Sequence, residues 1–227
     1  MLDSPCHFLN LNVCLNHLFK YFRSLIMSEK DINTANKIKE AARALFTEKG
    51  FGRTTTREIA TVAGVNLALV NYYFRSKDEL FKAVMMETVE SFVKQLHVLV
   101  NNERSFDEKL DAVVNNYIDL LSERPDLPIF MLSELRNNPQ EMAGKLQLHE
   151  LFGESTFMKE LFARTPEGVH PIHIFMNLLS MNVFPFLAKP MLSTAAGLRD
   201  EQFQMTMEAR RKLIPMWIKS MLNPVTQ

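Results

Sequence analysis

Residues 54–77 read TTTREIATVAGVNLALVNYYFRSK, and this stretch decides the fold. Thr55 followed three residues later by Glu58 is a capping box, and it predicts a helix that turns Ile59, Ala60, Val62 and Ala63 inward. Gly64 ends that helix after about two turns, because glycine accepts the left-handed backbone that a helix stop needs. Asn66 caps a third short helix running through Phe74. Two short helices joined by a glycine turn form a helix-turn-helix arrangement.

The pattern extends outward on both sides. Ile38, Ala41, Ala42, Leu45 and Phe46 recur at the spacing of a helix with one apolar stripe, and Gly50 stops it. Ser76 to Glu79 forms a second capping box, which opens a long helix through Leu80, Phe81, Val84 and Met85. Ser105 to Glu108 opens another, to about Ser122. Further helices are predicted over roughly 128–137, 140–163, 169–187 and 200–222. No stretch alternates with period two, so the expected class is all-α. It comprises an N-terminal three-helix head with a helix-turn-helix and a larger helical domain.

Twenty-six basic and twenty-six acidic side chains cancel, so nucleic-acid binding must come from a local patch. Residues 28–80 hold nine basic and seven acidic groups, whereas 81–227 hold fifteen and eighteen. The excess of positive charge falls on the head. A chain that is 23% charged and 47% hydrophobic has the composition of a globular protein. No apolar run is expected to approach the ~20 residues that span a bilayer. Cys6 and Cys14 have no metal-site spacing and cannot staple a chain of this length, which suits a reducing cytoplasm.

Residues 1–26 differ from the rest, with only Asp3, Lys20 and Arg23 as charges. They lack the early positive charge and small-residue cleavage site of a signal peptide. The expectation is a non-native or disordered extension, with translation starting at Met27. The organisation is then 27–80 as the helix-turn-helix head (domain about 32–92, motif 55–74) and 81–227 as the larger domain.

The in-register set of Phe46, Gly50-Phe51, Thr56-Arg57, Ile59-Ala60, Ala63-Gly64-Val65, Tyr73-Phe74, Ser76-Lys77 and Leu80 resembles the DNA-binding end of TetR/AcrR-type bacterial transcriptional regulators. The resemblance covers about fifty residues; the remaining two-thirds is similar only in size, helix content and apolar character. Many members have Tyr where this chain has Asn71, so base contacts do not carry over from a typical relative.

The residues themselves fit that role. A recognition helix enters the major groove by its N-terminal turn. Leu67 and Ala68 suit thymine methyls, and Asn71, on their face at i+4 and i+3, suits adenine. Tyr72 and Tyr73 offer hydroxyls to phosphates, and Lys77 offers a positive charge. Thr55, Thr56 and Arg57 bring the second helix's N-terminus to the same duplex, and Asn66 acts first as a cap.

The resemblance implies a homodimer on a palindromic double-stranded operator, paired through the last two long helices. It also implies a small-molecule effector in the larger domain. Candidate dimer residues are Phe175, Leu179, Leu213, Met216 and Trp217. Candidate effector-pocket residues are His149, His173, Asn177 and Met181, with His170 and Asn182 as further polar groups. His170 and His173, separated by Pro171 and lacking a third ligand, do not make a metal site. No cofactor is expected. No nucleophile elbow, phosphate-binding glycine loop or metal cluster marks an enzyme. The sequence reading is a cytoplasmic repressor released from its operator by a small hydrophobic ligand. The alternative is a DNA-binding protein of the same fold governed by a protein partner or by abundance.

Overall fold

The computed structural model describes residues 29–223; the expected N-terminal extension lies outside them. Ten α-helices and one π-helical turn make up these residues, and no strand occurs among them. The chain forms two compact units that divide between Val84 and Met85.

The first unit holds α1 (Glu29–Lys49), α2 (Thr56–Ala63), α3 (Leu67–Phe74) and the first turns of α4 (Lys77–Asn101). Its helices are set locally. Gly50 and Gly64 take φ of 77° and 65°, the left-handed region that suits glycine. Thr55 and Glu58 make both bonds of the capping box, and the Glu79 N–H donates to the Ser76 hydroxyl at the start of α4. Ile38, Ala42, Leu45, Phe46, Ile59, Val70, Leu80 and Val84 form the core. Phe46, Phe51 and Phe81 surround one another with ring centroids 4.7–5.8 Å apart. Thr54 is buried because its hydroxyl has partners in the Gly50 carbonyl at 2.9 Å and the Leu45 carbonyl at 3.3 Å.

The second unit takes the rest of α4 and then α5 (Phe106–Glu123), α6 (Leu127–Asn137), α7 (Pro139–Lys145), a π-helical turn (Glu150–Glu154), α8 (Thr156–Arg164), α9 (Pro171–Ala195) and α10 (Asp200–Leu222). Helix α10 packs against α5 and α9. Lys109 is buried, and its ammonium donates to Thr156 Oγ1 and Glu160 Oε1, both at 2.9 Å. Phe106 stacks on Phe157 beside them at 5.2 Å. Thr156 in turn donates its hydroxyl to the Val100 carbonyl at 2.7 Å, so α8 is tied to the end of α4.

Two helical expectations need correction. The stretch 140–163 is not one helix: it breaks at Gln147, whose φ is +48°, and restarts at Thr156 with Ser155 as cap. The helix expected to end at 187 continues to Ala195, through Pro185 and Pro190. A proline inside a helix leaves the carbonyl four residues earlier without its donor. For Pro185 that carbonyl belongs to Met181, and Arg210 of α10 donates to it at 2.7 Å. The longer α9 also corrects the expectation that no apolar run approaches membrane length. By length and composition it could cross a bilayer, although Asn177, Asn182 and Lys189 interrupt it.

Candidate nucleic-acid interface

Helix α3 divides its side chains between two jobs. Val70 is buried, and Leu67, Tyr73 and Phe74 pack against the head's core. The remaining face carries Ala68, Leu69, Asn71 and Tyr72, all exposed, with Tyr72 at 70%. Ala68, Asn71 and Tyr72 stand at i, i+3 and i+4, so they share one helical face. That face offers a small side chain, an amide able to bond two edge atoms of an adenine, and a phenol. Asn66, itself exposed, caps α3 through Oδ1, which accepts from the Ala68 N–H at 2.9 Å.

Other sequence candidates are engaged inside the head. Leu67 packs against the core instead of presenting itself beside Ala68. Tyr73 donates its hydroxyl to Asp31 Oδ1 at 2.7 Å, which ties α3 to the start of α1; that bond to a carboxylate raises the phenol above its usual range. Lys77 directs its ammonium to the carbonyls of Phe51 at 2.9 Å and Thr54 at 3.0 Å, and stands 4.1 Å from the centre of the Phe51 ring. Two of its three N–H donors therefore hold the turn between α1 and α2, and one remains for any phosphate. The sequence pointed to charge at Lys77; its use as a clamp depends on carbonyls twenty-three and twenty-six residues away.

Thr55 is also committed. Its hydroxyl and its N–H both reach Glu58 Oε2 at 2.9 Å, while its Oγ1 accepts from the Glu58 N–H at 3.3 Å. Glu58 receives Lys49 at 2.8 Å on its other oxygen. Lys49 and then the Thr55 donors pull the Glu58 carboxyl down to about 2. The N-terminus of α2 is thus rigid, with half-buried Thr56 and exposed Arg57 next along it. Arg53 and Arg75 are exposed cations of the same unit that the sequence reading missed. The signal for Arg75 was present, since it falls four residues after Asn71.

In the second unit the candidate effector residues do not converge. His149 is 89% exposed at the side chain, and His173 and Asn177 are exposed on α9. His170 caps α9 by accepting the Ile172 N–H on Nδ1 at 3.3 Å. Met181 does line an apolar groove of about 410 Å³ between α9 and α10, with Phe184, Leu192, Phe203, Met207 and Arg210. Asn182 is buried, with its amide N–H on the Leu178 carbonyl at 2.8 Å. Of the dimer candidates, Phe175, Leu179, Leu213 and Trp217 are half-buried on α9 and α10, and Met216 is 52% exposed.

Known proteins share this fold. Residues 38–84 match the family model for bacterial regulatory proteins, tetR family. The chain is 26% identical over 201 residues to the probable HTH-type transcriptional regulator YttP of Bacillus subtilis (strain 168), covering 85% of this chain and 95% of that protein. A fatty acid metabolism regulator of the same organism is 26% identical over 110 residues, 48% of this chain and 57% of its own. Among solved structures, a TetR/AcrR-family transcriptional regulator from Thermobifida fusca aligns with a TM-score of 0.57 at 19% identity, covering 85% of this chain and 98% of that one. The regulator FadR of Bacillus subtilis in complex with stearoyl-CoA aligns at 0.55 and 18%, covering 82% and 97%. At such identities the structures show a shared fold.

Proposed function

The chain belongs to the TetR/AcrR family of transcriptional regulators, and from that premise we propose that it is a dimeric, cytoplasmic repressor whose α3 reads a palindromic operator. The observation that carries this reading is the exposed face of Ala68, Asn71 and Tyr72 on a short helix capped by Asn66 and braced through Tyr73 and Lys77. Such a face has no structural task inside the head, and its amide and phenol suit base edges and phosphates.

One head reads few base pairs, so two copies across successive major grooves, about 34–36 Å apart, are needed for selectivity. The apolar side chains left uncovered on α9 and α10 support pairing there: Met176, Met191, Met205 and Met216 are each more than half exposed. An effector with a hydrocarbon part fits the groove lined by Met181, Phe184 and Phe203. An effector acts by preferring one head spacing over another, which shifts the population away from the spacing that matches DNA. The exposure of His149, His173 and Asn177 favours a second reading, the same DNA-binding protein without a small ligand.

Purified protein titrated at two salt concentrations against DNA from upstream of its own gene, beside a scrambled duplex, tests the proposal. Tight binding to the natural duplex alone supports it. Equal, strongly salt-dependent binding to both speaks against an operator there. Adding a long-chain acyl-CoA to the complex separates the two readings: release supports the effector, and unchanged binding across acyl lengths supports the second reading.

A further inference from the structure

Helix α3 ends at Phe74, and the next residue is unusual. Arg75 has φ 57° and ψ −44°, a left-handed backbone that crowds an L side chain. The Ser76 N–H donates to the Phe74 carbonyl across it, while the Arg75 N–H closes on the Asn71 carbonyl at 2.9 Å. A three-residue turn of this hand is rare and strained, and glycine adopts it freely. The fold alone gives no reason for arginine here. Residues held in such backbone tend to gather at functional sites.

The place of Arg75 supplies the reason. Arg75 follows directly on the helix that carries Ala68, Asn71 and Tyr72 and is exposed as they are, so it lies at the C-terminal end of the face assigned to DNA. Its guanidinium has no hydrogen-bond or ion-pair partner among the described residues. Its neighbours Tyr73 and Lys77 direct their donors into the head. At this end of the helix an outward cation is Arg75.

We propose that Arg75 binds a backbone phosphate of the operator at the C-terminal end of the recognition helix. A guanidinium grips phosphate oxygens through two parallel N–H groups, which fixes geometry as well as charge. Such a contact carries no base information; it sets the register at which Ala68 and Asn71 meet base edges. This inference rests on the DNA-binding reading above. Arg53 and Arg57 are exposed as well, but no feature of the backbone singles them out.

The test uses the full chain as Arg75→Gly and Arg75→Lys beside wild type, with operator binding followed across salt and the thermal midpoint measured. Arg75→Gly is expected to keep or raise the midpoint, because glycine relieves the turn. Its affinity is expected to fall by roughly tenfold on operator and scrambled DNA alike. The slope of log K against log salt becomes shallower by about 0.9, the loss of one phosphate contact. Arg75→Lys keeps the charge and the slope. An unchanged slope in Arg75→Gly, or a shallower one shared by Arg75→Lys, overturns the proposal. A wild type that selects no duplex would overturn the DNA-binding reading itself, so the two failures are read from different arms.

Discussion

The head and the larger helical unit are held together by different kinds of contact. In the head, most polar ties span short stretches of chain: Thr55 to Glu58 over three residues, Lys49 to Glu58 over nine, Lys77 to Thr54 over twenty-three, with Tyr73 to Asp31 the long one at forty-two. In the larger unit the comparable ties are distant. Lys109 reaches Glu160 across fifty-one residues, and Arg211 reaches Asn115 and Asp119 across more than ninety. The head is therefore a structure that local capping rules nearly specify. The larger unit is one in which long helices find their partners only after folding.

Breaking each unit at a buried point separates them most sharply. Phe46→Ala removes a ring that packs on Phe51 and Phe81, and it should cost about 3–5 kcal/mol. Chemical denaturation followed by an amide-exchange readout should show the head opening while α5 and α10 stay protected. Loss of protection in both units together would mean that they fold as one.

Lys109→Ala strikes the larger unit. It leaves Phe106 and Phe157 beside a hole and deprives Glu160 and Thr156 of their shared donor, a loss of about 3 kcal/mol. Glu160 is 36% exposed at its side chain, so water can offset part of this. Operator affinity at a temperature where the variant is folded should be unchanged, and a large drop there would tie this network to DNA binding.

Lys77→Ala distinguishes a clamp from a phosphate contact. Two bonds from an ammonium to carbonyls are removed, so the head should lose about 2 kcal/mol, seen as a lower urea midpoint. The salt slope of binding by the folded fraction should stay as in wild type. A slope shallower by about one would show that its remaining donor serves DNA.

Glu58 gives the smallest effect, confined to acid. In the folded head its carboxyl titrates at about 2 instead of its ordinary 4.5, because Lys49 and Thr55 stabilise the anion. Its contribution is then complete above about 4.5 and is lost as pH falls through about 2. Glu58→Gln should flatten this part of the head's stability curve, measured by thermal melts between those values. An identical acid slope in both proteins would place the titration elsewhere.

The same contrast explains what the sequence disclosed. Caps at Thr55, Asn66, Ser76 and Ser105 and the stop at Gly64 were legible because each is settled within a few residues. The break after Lys145 escaped, since apolar periodicity does not register the positive φ of Gln147. The passage of α9 through Pro185 escaped because its rescue comes from Arg210, twenty-nine residues beyond the Met181 carbonyl it satisfies. In the candidate interface, residue type pointed to a helix with an exposed polar face but not to each side chain's duty. Tyr73 and Lys77 have the chemistry of phosphate contacts, yet their partners lie in the α1 start and the α1–α2 turn. Periodicity placed His173 and Asn177 on α9 without showing that they face outward.

The most direct measurement is the base preference of wild type and Asn71→Ala, each enriched from the same random duplex pool at one salt concentration. Asn71 is exposed on the face proposed to read bases. The wild type should select a palindromic site, and Asn71→Ala should lose discrimination of about 1–3 kcal/mol at one symmetric pair of positions while keeping the rest. Identical profiles for the two proteins would contradict base reading by α3 through Asn71.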